Sequence, residues 1–342
     1  MGSVRMRCDR RELLSLAAAS LGLAGAASVL AHQASAAVEP LRIGLISDLN
    51  SSYGSTRYAD SVAQGMGHLM ALDPAFLLCA GDMVAGQKRG LSAPQLDRMW
   101  DSFARHVLLP VRQRGLPFLP AIGNHDGAPG FSEDRQAARR FWTPRRRSLG
   151  LHFADTGDFP FHYSVLQNNV FVLVWDASSS RIPERQLAWA RSALASAQAR
   201  AAGLRLVVGH LPLFGISRGR DRPGEVLHDA ASIQRLLEEA DVQAYISGHQ
   251  HAWYPGRSGR LDLLQLGALG SGPRRLIAGT LEASPSFATL EVDWARRSLR
   301  ETGYAATSGR AMSWARLPLQ LQGHRGTVSR NRSQRAINSP AG

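Results

Sequence analysis

Cysteine is almost absent from this chain, which has only Cys8 and Cys79 among its 342 residues. Cys8 lies in an N-terminal segment typical of a removable export signal, so the mature chain would keep one thiol and could form no intramolecular disulfide. Cys79 lies in an apolar run, where a free cysteine is usually a small buried residue. Stability must therefore come from the hydrophobic core, for which 44% hydrophobic residues are ample.

Lysine is also nearly absent, because Lys88 is the only one and arginine supplies almost all of the positive charge. A formal net charge of +13 suggests at first a nuclease or another nucleic-acid binder. Residues 1–36 carry +2 and the segment from Gln320 carries +4, which leaves +7 for the body of the chain. The body lacks the clustered aromatic and basic platform that binds nucleic acid. A nucleic-acid partner is therefore the less favoured alternative.

Residues 1–36 predict an export signal. The adjacent pair Arg10-Arg11 precedes a mildly apolar run over residues 13–31, and small residues at 34–36 offer a cleavage site. The arginine pair resembles a twin-arginine signal, a route by which folded proteins are exported. An ordinary secretory signal and an uncleaved anchor helix are the alternatives. We therefore expect a bacterial protein that meets the export machinery, becomes periplasmic or secreted, and keeps no stable membrane span after cleavage.

Apolar runs alternate with helical patterns along the rest of the chain. Five runs have the length of buried parallel strands: 43–46, 76–79, 118–122, 204–208 and 242–246. From Phe161 the pattern predicts a hairpin that turns at Asn168-Asn169, and residues 263–304 predict short strands of a second, more antiparallel sheet. These patterns predict one domain over 37–319. The segment 320–342 is Arg-rich and lacks apolar periodicity, which predicts a disordered tail.

A short polar cluster follows each of the five apolar runs. The clusters are Asp48-Leu49-Asn50, Gly81-Asp82, Gly123-Asn124-His125-Asp126, Gly209-His210 and Gly248-His249-Gln250-His251. Side chains at the carboxyl ends of parallel strands converge on one edge of a sheet. Residues from distant parts of the chain can therefore share one site.

The residue types in these clusters are those that bind two metal ions. Two divalent ions roughly 3.5 to 4 Å apart need a ligand that bridges them, and a carboxylate does so with its two oxygens. Asp82 is the candidate bridge, Asp48 is a candidate ligand of one ion, and Asn124 offers its amide oxygen to the other. Imidazole ligands favour manganese, iron, zinc or nickel over magnesium and calcium. The chain offers three of them in these clusters: His210, His249 and His251.

Taken in this order, the five clusters resemble the calcineurin-like metallophosphoesterase superfamily. The resemblance implies an α/β fold, a four-layer αββα sandwich of two mixed sheets flanked by helices. It also implies a metal-dependent phosphoric ester hydrolase, which cleaves phosphate mono- or diesters by attack of a metal-bound hydroxide. One ion would be held by Asp48, Asp82 and His251, and the second by Asp82, Asn124, His210 and His249.

The resemblance implies further roles near the metals. His125 would lie beside them and either stabilise the transferring phosphoryl group or protonate the leaving oxygen. Asp126 would orient His125 by a hydrogen bond, as carboxylates behind a site commonly do. Ala85 stands where purple acid phosphatases carry a metal-binding tyrosine, so we do not expect a ferric-tyrosinate centre.

Asn50 departs from the pattern, because the superfamily usually has histidine at this position. Asn50 could bind weakly through its amide oxygen, leave a coordination position to water, or be replaced by a neighbour such as Tyr53. A weakened first site also suggests an alternative function, a metal-binding relative with little or no catalysis. The presence of His125, which binds no metal, argues against that alternative.

Three residues are candidate substrate contacts. Tyr53 lies in a polar loop, residues 50–56, beside the predicted site. Arg274 and Arg275 end a glycine-rich loop that begins at Gly267, and its backbone amides and guanidinium groups could hold a substrate phosphate. Metal ligands fix the reaction class, whereas substrate choice depends on loops whose positions the sequence does not give.

Overall fold

The computed structural model describes residues 39–270 and 272–337. The predicted export signal, residues 1–36, lies outside these ranges. Within them, no helix combines the length and the apolar character needed to cross a membrane.

A six-stranded mixed sheet contains the first three predicted strands. Its members are β1 (Leu41–Ile46), β2 (Phe76–Cys79), β3 (Phe118–Pro120), β11 (Ser286–Asp293), β12 (Ser298–Ala305) and β15 (Gln334–Ala336). They lie in the order β15-β12-β11-β1-β2-β3, in which β1, β2 and β3 are parallel and the remaining pairs antiparallel. All four residues of β2 are buried, as the continuous apolar run predicts.

A nine-stranded mixed sheet contains the other two predicted strands. Its members are β4 (Phe153–Asp158), β5 (His162–Gln167), β6 (Val170–Val174), β7 (Leu204–Val208), β8 (Ala244–Ser247), β9 (Tyr254–Ser258), β10 (Leu261–Gln265), β13 (Gln320–Gly323) and β14 (Gly326–Arg330). The order is β13-β14-β9-β10-β8-β7-β6-β5-β4, and the strands from β10 to β6 are parallel. The predicted hairpin is β5 and β6, whose turn residues Asn168 and Asn169 have φ angles of 50° and 63°, as a tight two-residue hairpin turn requires.

Helices flank the two sheets and complete the four-layer αββα sandwich that the resemblance implies. They are α1 (Asp60–Ala71), α2 (Ala93–Phe103), α3 (Leu109–Gln113), α4 (Asn124–Gly127), α5 (Ser132–Arg145), α6 (Glu184–Leu194), α7 (Ala197–Ala201) and α8 (Ala230–Glu239). A π-helical turn, Ala104–Leu108, joins α2 to α3. Amphipathic spacing explains how they pack: α8, for example, buries Ile233, Leu236 and Leu237 on one face.

The strands after residue 260 pair differently from the prediction. The sequence predicts that they belong together in a second, more antiparallel sheet, and this is wrong because they are divided between the two sheets. β10 lies parallel to β8 in the nine-stranded sheet, whereas β11 and β12 extend the six-stranded sheet beside β1. Periodicity shows that a segment is a strand and which face is apolar, but it does not name the pairing partner.

The prediction of a disordered tail from Gln320 is also wrong for the residues that the structure describes. β13 and β14 form a hairpin beside β9, and β15 pairs with β12. Leu321 and Val328 are fully buried. Strands of three to five residues are too short to show a period, so the sequence pattern gives no sign of them.

Arg335 of β15 anchors the end of the chain. Its side chain is 4% exposed and pairs with Asp262 of β10, while its Nη2 lies 4.0 Å from Oε2 of Glu301 on β12. Asn331 also donates to Asp262, and the indole of Trp253 donates to Glu301. Because a buried charge is tolerated only with partners, this network holds β15 against strands of both sheets.

We expect Arg335→Ala to lower the free energy of unfolding by about 3–5 kcal/mol, because Asp262 would keep a buried charge without its partner. Urea unfolding measures this change. Arg332, an exposed arginine of the same segment, is the control, and Arg332→Ala should change stability by less than about 0.5 kcal/mol. Equal effects of the two substitutions would show that Arg335 does not anchor the chain.

Candidate metal centre

The carboxyl ends of five strands meet where the two sheets come together. The strands are β1, β2 and β3 of the first sheet and β7 and β8 of the second. Nδ1 of His210, after β7, lies 2.8 Å from the carbonyl oxygen of Ala80, after β2. The amide of His249, after β8, donates to Oδ2 of Asp48, after β1, at 3.0 Å. The five clusters thus share one site, although their strands belong to two sheets.

Four of the predicted ligands have a left-handed backbone. The φ angles are 55° for Asp48, 56° for Asp82, 66° for His249 and 55° for His251. Non-glycine residues seldom adopt these angles, and such strain persists where the surrounding structure enforces it, commonly at functional sites. In an extended strand, His249 and His251 would point to opposite sides. Their positive φ angles curl the segment, so both side chains reach the same cluster.

Two glycines allow the strand ends to approach so closely. Gly81 has a φ of 101°, and a Cβ there would lie 2.6 Å from Nδ1 of His210. Gly248 lets the turn after β8 pass close to β1, because a Cβ there would lie 1.8 Å from Oγ of Ser47.

Carboxylate and imidazole atoms crowd together at the centre of the site. Oδ1 of Asp48 lies 3.2 Å from Nε2 of His251, and Oδ2 of Asp82 lies 3.2 Å from Nε2 of His210. Asp48, Asp82 and His210 each offer a ligand atom within 4.8 Å of the others. These separations allow neighbouring side chains to share a cation.

His249 and Asn124 extend this group of ligand atoms. Nδ1 of His249 lies 3.0 Å from Oδ1 of Asn124 and 3.3 Å from Nε2 of His210. The side-chain amide of Asn124 donates to Oε1 of Gln87 at 2.7 Å, which turns its oxygen toward the histidines. Asn124 therefore presents the atom that the sequence assigns to a metal.

Three of the predicted ligand oxygens are buried without a hydrogen-bond partner: Oδ1 of Asp48, Oδ2 of Asp82 and Oδ1 of Asn50. The other oxygens of the two carboxylates accept backbone N–H groups, from His249 and His125 respectively. Buried acceptors without donors are rare and costly, and cations would satisfy these three. The residues therefore fit two divalent ions, and Asn50 offers one of them a buried amide oxygen without a hydrogen-bond partner.

Each histidine of the cluster is held through its second ring nitrogen. Nδ1 of His210 faces the carbonyl oxygen of Ala80, and Nδ1 of His251 lies 3.0 Å from that of Gly272. Nε2 of His249 lies 2.8 Å from Oε2 of Glu225. A hydrogen on that nitrogen leaves the other nitrogen unprotonated, with its lone pair toward the cluster, and fixes the orientation of the ring.

The electrostatics of the cluster agree with this arrangement. Burial lowers the pKa of His249 to about 4, and the charges of His210 and Arg220 act in the same direction, so its ring is neutral at pH 7. The hydrogen bond from His249 lowers the pKa of Glu225 to about 2. Burial alone would lower the pKa of His210, but the charge of Asp82 outweighs it and raises the pKa to about 9. A metal must therefore displace a proton from His210, and its binding weakens as the pH falls.

His125 lies beside the cluster, as predicted, but Asp126 does not orient it. Nε2 of His125 lies 3.9 Å from Oδ2 of Asp82, and its Nδ1 lies 3.2 Å from the carbonyl oxygen of Gly86. The carboxylate of Asp126 instead accepts backbone N–H groups from Met83, Val84 and Gly123. The expected hydrogen bond to His125 is therefore a wrong prediction, since the oxygens of Asp126 brace the turns after β2 and β3.

A pocket of about 400 Å³ adjoins the cluster, a volume typical of sites for small ligands. Its lining includes Asn124, His125 and His249 together with Arg220 and Tyr53. Nη1 of Arg220 lies 3.0 Å from Nδ1 of His249. The rings of Tyr53 and His125 are 5.0 Å apart between centroids. The pocket thus brings together the guanidinium of Arg220, the predicted metal ligands Asn124 and His249, and the ring of Tyr53.

Arg274 and Arg275 are not among the residues that line this pocket. Arg275 forms an exposed ion pair with Glu282. Nη1 of Arg274 lies 3.4 Å from the carbonyl oxygen of Arg218, and its side chain lines a separate cavity of about 20 Å³ that His251 also lines. Of the three predicted substrate contacts, the structure brings Tyr53 alone into the pocket beside the metal ligands.

Sequence reasoning missed Arg220, Glu225 and Gln87, which lie in loops without a recognisable pattern. The signal that could have found the first two is Gln250, the unassigned residue between the paired histidines. Its Oε1 accepts the amides of Ile216 and Ser217, and its Nε2 donates to the carbonyl oxygens of Arg220 and Glu225. Gln250 therefore ties the loop between β7 and α8 to the metal motif.

The fold and the clustered side chains agree with the family that the sequence resembles. The chain belongs to the calcineurin-like phosphoesterase family, whose family model matches residues 41–253. That range includes every predicted ligand, from Asp48 to His251. The family depends on two metal ions, and the buried Asp48, Asp82 and His210 group is a candidate part of that site.

Solved structures share the fold at low sequence identity. A purple acid phosphatase from yellow lupin (Lupinus luteus) seeds matches with a TM-score of 0.58 and 14% identity, over 80% of this chain and 53% of that chain. This chain thus spans about half the length of that protein. GAP50, the anchor in the inner membrane complex of Plasmodium, matches with a TM-score of 0.53 and 15% identity, over 80% of this chain and 87% of that chain. No curated protein matches the sequence.

We expect Glu225→Ala to weaken divalent-metal binding about 10- to 100-fold, because His249 would lose the partner that orients its ring. Titration of metal-depleted protein with zinc or manganese measures the affinity. Glu282→Ala is the control, since it removes an exposed carboxylate that pairs with Arg275 and contacts no predicted ligand in an ion pair, and it should leave the affinity unchanged. The role of Glu225 would be refuted by equal affinities in the two variants.

Proposed function

We propose that this protein hydrolyses phosphate mono- or diesters with two divalent transition-metal ions held at the meeting strand ends. The observation that carries the proposal is the group of buried, unpaired oxygens on Asp48 and Asp82, each 3.2 Å from an imidazole nitrogen. A pocket lined by His125, which is not a predicted ligand, and by the positively charged Arg220 adjoins that group. Membership of the family supports the same reaction class.

The ligands divide between the two ions as the family pattern implies. Asp48, Asp82 and His251 would hold one ion with Asn50 as a further oxygen ligand, and Asp82, Asn124, His210 and His249 would hold the second. Bound ions of this kind neutralise phosphoryl charge and lower the pKa of a water molecule. The chain excludes water from the centre of the site, because Asp48, Asp82 and His210 are fully buried. Electrostatic interactions are stronger in such an environment than in water.

His125 and Arg220 act on the substrate itself. The carbonyl of Gly86 fixes Nδ1 of His125, and the ring turns Nε2 toward Asp82. Nε2 is then the atom that donates a proton to the leaving oxygen or a hydrogen bond to the phosphoryl group. Arg220 brings a guanidinium beside His249, where it stabilises negative charge on the phosphoryl oxygens.

We expect His125→Ala to lower kcat on chromogenic phosphate esters about 10²- to 10⁴-fold, because the proton donor is lost. Its metal content should stay near two ions per chain, since His125 is not a ligand. Steady-state kinetics on monoesters and diesters, paired with elemental analysis, measures both quantities and shows which ester class the enzyme prefers.

His228→Ala is the matched control, because the imidazole of His228 is exposed and pairs with the exposed carboxylate of Asp229. It should keep wild-type kinetics and metal content. A wild-type protein that hydrolyses neither ester with any divalent metal, while Asn50→His does, would favour the alternative of a metal-binding relative with little or no catalysis.

We also propose that the protein is exported to the periplasm or beyond it through a twin-arginine signal. The arginine pair Arg10-Arg11 before an apolar run supports this, and so does a metal site that is completed only when five strand ends have met. The N-terminal sequence of protein recovered from a bacterial periplasm should then begin close to residue 37. Replacement of Arg10-Arg11 by lysines should keep the protein in the cytoplasm, whereas lysine at Arg5 should not. Equal export of both variants would exclude the twin-arginine route.

A further inference from the structure

We propose that Tyr53 is a stacking platform that selects phosphate esters whose leaving group carries a flat ring. This inference rests on the proposed function and specifies the substrate class of the same site. The geometry that supports it joins Tyr53, His125 and Arg220 in one pocket.

Tyr53 is an aromatic residue that the fold leaves uncovered. Its exposed fraction is 55%, whereas most large apolar side chains of the described residues are buried. Its ring lies 5.0 Å from the ring of His125 between centroids, at an interplanar angle of 37°. One part of the ring therefore contacts the catalytic histidine, and the rest remains open to a ligand.

The loop that presents Tyr53 is braced against the turn after β2. The amide of Asn50 donates to the carbonyl oxygen of Asp82 at 3.2 Å, and the amide of Gly54 donates to that of Ala85 at 2.7 Å. The amide of Ser55 closes a turn on Ser52 at 2.9 Å. Because both ends of this short segment are held, Tyr53 is positioned before a substrate arrives, which lowers the entropy cost of binding.

The pocket differs in chemistry between the part beside Arg220 and the part beside His125. Arg220 contacts His249, so an anionic phosphoryl group belongs there beside the ligands. His125 contacts Tyr53, so the leaving oxygen that takes a proton from His125 carries its organic group toward the tyrosine. A flat ring on that group can stack on Tyr53, and aromatic pairs of this kind are favoured over equal apolar contact.

A structural role for Tyr53 makes a different prediction. If Tyr53 only shields His125 from water, its removal should slow every substrate alike through kcat. If Tyr53 binds the leaving group, its removal should raise KM, and should do so only for substrates whose leaving group carries a flat aromatic ring.

The experiment compares benzyl phosphate with cyclohexylmethyl phosphate, and the methyl diesters of the same two alcohols. The two leaving groups match in size and in alcohol chemistry but differ in flatness and in π-electrons. We expect wild-type kcat/KM to favour the benzyl ester roughly two- to tenfold. Tyr53→Leu should abolish that preference through KM, and Tyr53→Phe should keep it, because phenylalanine retains the ring.

Arg220→Gln separates recognition of the phosphoryl group from recognition of the ring. It should lower kcat/KM for the benzyl and cyclohexylmethyl esters by the same factor and leave the preference between them intact. Wild-type turnover of both esters at equal kcat/KM, or an unchanged preference in Tyr53→Leu, would overturn the role of Tyr53 while the hydrolase stands. No turnover of any of these esters with added divalent metal would instead count against the proposed function.

Discussion

Two carboxylates shielded from solvent, Asp48 and Asp82, impose the constraint on which the rest of the structure depends. A buried carboxylate without partners is strongly destabilising. One oxygen of each accepts a backbone N–H group, from His249 and His125, and the other faces imidazole nitrogens. The left-handed backbone at Asp48 and Asp82 is the conformational cost of that placement. Metal charge would complete the compensation, so stability and metal binding are coupled in this protein.

The two-sheet architecture makes this cluster possible. A single sheet edge would offer ligands in one row, whereas the ends of β1, β2 and β3 face those of β7 and β8. Ligands can then approach the same ions from two sides. Close approach requires glycine at Gly81 and Gly248, where a Cβ would meet His210 or Ser47. The strand ends therefore position the side chains, and the loops between them form the pocket.

The sequence predicts the ligand-bearing strands and the family well, because each strand is a continuous apolar run and each ligand motif is local. It predicts poorly whatever depends on contacts between distant segments. Arg335 looks solvated in the sequence, since its partners Asp262 and Glu301 lie on other strands. Glu225 lies in a polar loop without a period, and only the folded chain brings it to His249. Asp126 shows the same limit, because the family resemblance implies a hydrogen bond to His125 that the turn geometry does not make.

The loop after β1 joins the proposed first metal site to the proposed substrate contact. Asp48 and Asn50 are the proposed oxygen ligands of the first ion, and Tyr53 reaches His125 from the same segment. The loop rests on carbonyl oxygens of the turn after β2, including that of Ala85, whose small side chain is buried. Purple acid phosphatases carry a metal-binding tyrosine at the position of Ala85. In this chain the backbone carbonyl oxygen of Ala85 accepts the amide of Gly54, and this contact supports the loop that carries Tyr53. A substitution that shifted Asn50 would therefore also move Tyr53 against His125. The metal affinity of the proposed first site and the fit of the leaving group would then change together.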